Sequence, residues 1–189
     1  MTEGELKTAL RDPDWRLRNL YWVLDKDGHE VLFKPWPMQE RFLHDLWFRN
    51  LILKARQLGY STLVQLVMLD SCVFNKNLAA AVIAQDKEAA EEIFRTKIKF
   101  AYDRLPEMVK AMNPLVKDSA SELILANGSS LSVSTSARSA TLQWLHISEF
   151  GKICSKYPDK AEEIITGSLP AVDANGIVCI ESTALLCES

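Results

Sequence analysis

The order of apolar and polar residues changes character near residue 50. Residues 5–20 mix charges and leucines in a loosely helical pattern. The segment YWVLDKDGHEVLF (21–33) alternates on both sides of Asp27-Gly28, which predicts a β-hairpin. Pro35 and Pro37 then break the chain, and the following residues place Phe42, Leu43, Leu46 and Trp47 on one helical face. From residue 51 onward, short apolar runs alternate with helical stretches. LILK (51–54) predicts a buried strand, STLVQLVMLDSCVF (61–74) an apolar helix, and LAAAVIA (78–84) a second buried strand. A long amphipathic helix is expected from Asp86 to about Arg104. Its Arg95, Lys97, Lys99 and Arg104, preceded by Asp86, Glu88, Glu91 and Glu92, read as a solvated face. SELILAN and SSLSVSTS flank Asn127-Gly128, a second hairpin signal. TLQWLHIS (141–148) and GIVCIEST (176–183) predict further strands, with a helix around Asp159–Thr166 between them.

Continuous apolar strands separated by helices imply an α/β fold with a mostly parallel β-sheet and helices on both faces. Ligands of such sheets bind beyond the carboxyl ends of the strands. The 189 residues suffice for one domain with a sizeable core. We divide them into an N-terminal helix-and-hairpin extension (1–33) and a main domain (34–189). A formal charge of −3 gives no overall basic field, so any contact with nucleic acid would need a local patch. The four cysteines (Cys72, Cys154, Cys179, Cys187) form no C-x-x-C pair and the three histidines (His29, His44, His146) lie far apart, which argues against zinc and for free thiols in a reducing compartment. The charged start is unlike a secretory signal, and no apolar run approaches the roughly 20 residues of a membrane span. These features predict a cytoplasmic chain that does not enter a membrane.

Five strand-end segments carry candidate chemistry. LILKARQLGYST (51–62) has the layout of a phosphate-binding loop: an apolar strand, a loop, then a helix that opens on hydroxyl residues. Aligned on G-x-x-x-x-G-K-[ST], Lys54 occupies the first glycine position, Gly59 the second, Tyr60 the lysine position and Ser61 the hydroxyl. Lys54 is then the nearby cation able to reach the phosphates, with Ser61 placed for Mg²⁺. LQWLHISEFGK (142–152) ends a strand in Ser148-Glu149, where P-loop ATPases often carry Asp-Glu. Glu149 suits the role of polarising the attacking water, and Ser148 leaves magnesium a neutral partner. CIEST (179–183) ends in Ser182-Thr183, hydroxyls able to sense a γ-phosphate. In KPWPMQ (34–39), Gln39 could pair with an adenine edge, and Phe33 or Trp36 could stack on the ring. Arg138, in STSARSATLQ, and Arg56, inside the loop, compete as the arginine that stabilises a phosphoryl transition state. Each segment is a weak signal alone; their order along the chain, each at a strand end, points to a P-loop ATPase.

From about Phe33 to Ala184 the sequence resembles the large subunit of phage and prophage terminases, the DNA-packaging ATPases of tailed phages. K-x-R-Q-L-G-x-S-T resembles that family's variant phosphate loop, STSARSATLQWLHISEFGKI its acidic segment, IESTA its coupling motif and PMQ its adenine element. The resemblance implies the additional-strand, catalytic-glutamate class of P-loop NTPases, with ATP and Mg²⁺ as ligands. It implies that Lys54, Ala55, Arg56, Gln57, Leu58, Gly59, Tyr60, Ser61 and Thr62 form the nucleotide site with Gln39. Glu149 is implied as catalytic, Arg138 as a finger given to a neighbouring subunit, Ser182 and Thr183 as coupling residues, and Ser61 with Ser148 as the metal's neighbours. Implied partners are double-stranded DNA, a portal protein, a terminase small subunit and further copies of the chain in a ring, in the bacterial host cytoplasm. Ser148 departs from the family's aspartate. The five residues after Ala184 cannot hold the nuclease half usual in the family, so the chain reads as truncated and no nuclease activity is expected. Two other readings stay open: a nucleotide-binding remnant without turnover, and a helicase-like, nucleic-acid-dependent ATPase.

Overall fold

The computed structural model describes residues 3–137 and 141–183. The chain opens with helices α1 (Glu3–Ala9) and α2 (Pro13–Asn19), followed by the hairpin strands β1 (Trp22–Leu24) and β2 (Glu30–Leu32). The hairpin falls where the alternation around Asp27-Gly28 put it. Gly28 takes φ +82, and Asp25 Oδ1 accepts hydrogen bonds from the backbone N–H of Asp27 and His29 at 2.8 and 2.9 Å. Helix α3 (Pro37–His44) follows the two prolines, the second of them in its first turn, where the missing N–H costs nothing.

The main sheet has seven strands: β3 (Arg49–Lys54), β4 (Ala79–Ile83), β5 (Leu115–Asp118), β6 (Glu122–Leu125), β7 (Ser130–Ser134), β8 (Leu142–Ile147) and β9 (Val172–Thr183). Their spatial order is β3-β9-β8-β4-β7-β6-β5. Neighbours from β3 to β7 run parallel, and β6 and β5 are added antiparallel beyond them. β9 therefore lies between β3, the strand that leads into the loop before α4, and β8. The Asn127-Gly128 hairpin joins β6 to β7 as expected. β5, helix α7 (Glu107–Met112) and helix α8 (Phe150–Lys156) were not foreseen.

Period-2 alternation sorts the central strands between two cores. Ala80, Val82 and Ala84 face helix α4 (Tyr60–Phe74), while Ala81 and Ile83 face α8 and α9 (Pro158–Glu163). α4 buries Leu63, Val64, Leu66, Met68, Leu69, Cys72 and Val73 in the larger core, each fully buried leucine contributing about 1.5–3 kcal/mol. Leu10, Leu17, Leu20, Tyr21 and Phe33 join that same core from the N-terminal segment. A buried polar knot fixes the junction. Arg16 Nη2 pairs with Asp70 Oδ2 at 2.6 Å, and the Tyr21 hydroxyl donates to Asp70 Oδ1 at 2.9 Å.

The stretch expected as one amphipathic helix is α5 (Lys87–Ile93), a π-helical segment (Phe94–Lys99) and α6 (Phe100–Asp103). A second π-helical segment, Ile164–Ser168, follows α9. β3 forms one edge of the sheet, and among the described residues it pairs only with β9. Leu51 and Leu53 stand exposed there, at 83% and 77%. No helix among the described residues is long and apolar enough to cross a membrane.

Candidate functional site

β3, β9 and β8 end side by side, and their last residues meet the start of α4. The loop Ala55–Gly59 crosses from β3 into that helix. Gly59 caps the helix at φ +68, a left-handed conformation that glycine adopts without strain. A Cβ there would also lie 2.8 Å from Gln39 Nε2. Gln57 shares the left-handed region at φ +63. The first turn of a helix has N–H groups without intrahelical partners, so this loop and the 15-residue α4 present an anion-binding end.

Lys54, the last residue of β3, turns its ammonium inward: the side chain is 7% exposed, with Nζ 3.2 Å from Glu149 Oε1 and 4.0 Å from Glu181 Oε1. Tyr60, at the usual lysine position, points away. Its hydroxyl donates to the Met38 carbonyl at 3.2 Å and its ring packs edge-on against Phe42. Ser61 Oγ donates to Glu181 Oε1 at 2.5 Å, and Ser148 Oγ donates to the same oxygen at 3.1 Å. Glu149 holds left-handed backbone at φ +54 where β8 turns into α8. Its carboxylate accepts the Thr183 hydroxyl as well as the Lys54 ammonium. Ser182 Oγ accepts the Gly151 N–H at 3.1 Å, tying β9 to the first turn of α8.

The structure thus gathers Lys54, Ser61, Ser148, Glu149 and Thr183, with Ser182 beside them. Thr62 sits in the first turn of α4, half-buried. Other candidates stand apart. Gln39 is buried under the loop, its Nε2 donating to the Leu58 carbonyl at 3.0 Å and its Oε1 accepting the Trp36 N–H at 2.9 Å. Phe33 belongs to the core, so of the two aromatic candidates Trp36 alone shows a face to solvent. Ala55 and Arg56 are exposed. Arg138 lies outside the described residues.

Two residues of the site were not foreseen. Glu181, in the middle of CIEST, is fully buried. Burial disfavours its ionised form, but His146 (Nε2 at 3.7 Å from Oε2), the Ser61 hydroxyl and the Lys54 ammonium outweigh it and hold the carboxyl at about 2. Lys97, on the π-helical segment, corrects the expectation of a solvated face. It lines a cleft of about 220 Å³ with Ser61, Ser148, Glu149 and Glu92. Burial pulls its pKa below the ordinary lysine value and Lys54 pulls the same way, against Glu181, Glu92 and Glu149. A charged residue inside an apolar strand was the signal available for Glu181; helical spacing offered none for Lys97. A larger hollow of about 380 Å³, between α2, α3 and α4, is lined by Leu17, Leu43 and Val67 and holds none of the strand-end residues.

The donor set (two serine hydroxyls and two carboxylates around a loop that presents backbone N–H groups) is all oxygen and suits a hard divalent cation with a phosphate ligand. No protein-family model matches the sequence, and no curated protein matches it. Among solved structures, the large terminase of bacteriophage HK97 superposes with a TM-score of 0.68 at 16% identity, over 96% of this chain and 38% of that one. This chain therefore spans well under half the length of that neighbour. Its seven-stranded, mostly parallel sheet flanked by helices is the fold of part of a phage large terminase.

Proposed function

We propose that this chain is the ATP-hydrolysing motor domain of a viral DNA-packaging terminase large subunit. The observation that carries this reading is the meeting of Lys54, at the end of β3, and Glu149, just past β8, with Ser61 in the first turn of α4 lining the same cleft as Glu149. In this reading the loop N–H groups and Lys54 hold the β- and γ-phosphates, and Lys54 exchanges its carboxylate partner for phosphate when ATP arrives. Ser61 would hold Mg²⁺, which neutralises charge developing on the transferred phosphoryl group. Glu149 accepts a proton from the attacking water, and Thr183 and Ser182 pass the change at Glu149 to β9 and α8. Trp36 is the better placed aromatic for the base, while Gln39 braces the loop from below. Arg138 or Arg56 supplies the arginine that lowers the barrier.

Double-stranded DNA, a portal protein, a small subunit and a ring of identical copies in the bacterial host cytoplasm complete this reading, supported by likeness of fold alone. Ser148, in place of a metal-binding aspartate, favours a second reading: nucleotide binding without turnover. Phosphate release from ATP, assayed with and without double-stranded DNA, decides between them. Turnover stimulated by DNA and lost in Glu149→Gln protein that still binds ATP supports the motor. ATP binding with no release under either condition rejects it.

A further inference from the structure

Resting on the ATPase reading above, we infer that Glu181 supplies the carboxylate that steadies the divalent cation of the phosphate site, replacing an acidic residue absent from position 148. β9 is the strand between β3 and β8, and the register pairs Ile52 with Glu181 and Ile147 with Ile180. Glu181 and Ser148 are thus lateral neighbours on the face toward α4. A carboxylate at 181 reaches the point that one at 148 would serve, from one strand closer to the loop.

Three observations carry the assignment. Glu181 Oε1 accepts a hydrogen bond from the Ser61 hydroxyl at 2.5 Å, and a serine hydroxyl that donates to a carboxylate keeps its lone pairs for a hard cation. The same oxygen is fixed from the other side by Ser148 at 3.1 Å, which gives the serine a positioning role. The residue is fully buried, yet Oε2 has no hydrogen-bond partner among the described residues. Cys179, two residues earlier on the same face, belongs to the apolar core, so packing alone would favour another apolar side chain at 181. Neither Lys54, 4.0 Å away and nearer to Glu149, nor His146, whose Nε2 stands 3.7 Å from Oε2, gives Oε2 a hydrogen bond.

The test is Mn²⁺ binding, followed by electron paramagnetic resonance, to full-chain protein carrying a non-hydrolysable ATP analogue. Glu181→Gln should weaken Mn²⁺ binding about 10–100-fold, the usual loss when a support of a metal site is removed. In EDTA its affinity for the analogue should not fall, since the change removes a carboxylate 4.0 Å from Lys54 and no phosphate-binding cation. Ser148→Asp added to Glu181→Gln should restore Mn²⁺ binding by returning a carboxylate to the same corner. Folded Glu181→Gln protein that binds Mn²⁺ as the parent does, or a double variant no better than Glu181→Gln, overturns the inference while leaving the ATPase reading intact. Parent protein that binds no analogue overturns both. Should Glu181→Gln fail to fold, the anomalous Mn²⁺ peak in crystals of parent protein with the analogue decides: beside Ser61 and Glu181 it supports the inference, and held by Glu149 away from Glu181 it overturns it.

Discussion

Thr183 grips Glu149. Its hydroxyl oxygen lies 3.1 and 3.0 Å from the two carboxylate oxygens, and its backbone N–H reaches Oε2 at 3.4 Å. The side chain proposed to polarise water is thereby oriented by the strand proposed to sense hydrolysis. Thr183→Val keeps the shape and removes the hydroxyl. A hydrogen bond to a charged group is worth about 1.5–3 kcal/mol, so kcat should fall by about tenfold or more with KM for ATP little changed. Steady-state kinetics would show it; an unaltered kcat would mean that Glu149 is oriented by other contacts.

Lys54 and Tyr60 divide what one lysine does in the common loop. The Tyr60 hydroxyl is spent on the Met38 carbonyl, outside the strand-end cluster. Lys54→Ala should abolish ATP turnover, whereas Tyr60→Phe should change it less than about twofold, as loss of a half-exposed neutral hydrogen bond predicts. Parental turnover in Lys54→Ala protein would remove the loop from the site.

Lys97 sets stability against binding. Burial acts against its charge, so Lys97→Met should raise stability, seen as a higher urea midpoint. The same change removes a cation from the cleft and should raise the Kd for ATP severalfold, readable by calorimetry. Higher stability with unchanged ATP affinity would confine Lys97 to a structural role.

Glu181 predicts a specific acid response. Its carboxyl is held at about 2 against an ordinary 4.5. A depressed carboxyl stabilises the native state fully above the unfolded value and loses that contribution as pH falls toward the folded one. About 3 kcal/mol should therefore be present at pH 6 and disappear between pH 4.5 and 2. Denaturant unfolding of parent and Glu181→Gln protein at pH 6, 4 and 3 would show the parent losing this component and the variant lacking it.

The sheet was legible because its central strands are continuous apolar runs, and the loop because a strand, Gly59 and two hydroxyl residues occur in sequence. Lys54, Ser61 and Glu149 were legible for the same reason: Lys54 ends a strand, Ser61 opens a helix, and Glu149 lies in the short turn between β8 and α8, where side chains converge. Glu181 was hidden among louder neighbours, since CIEST invites attention to its hydroxyls and the glutamate is internal to the strand. Lys97 was misread because a 3.6-residue period was carried through Phe94–Lys99, where a π-helical turn resets which side chains face the protein. β5 is short, exposed and partly charged, with no periodic signature to announce it.

The position of β3 at the sheet edge gives the site a yielding side and a stiff one. Among the described residues, freeing β3 breaks a single ladder, whereas freeing β9, which carries Glu181, or β8, which leads into Glu149, breaks two. Leu51 and Leu53, left uncovered, add little packing to hold β3 in place. Adjustment to an arriving phosphate therefore falls on the loop, while the carboxylates remain a fixed anvil. A strand laid along the outer edge of β3 would stiffen the loop without touching any residue of the site.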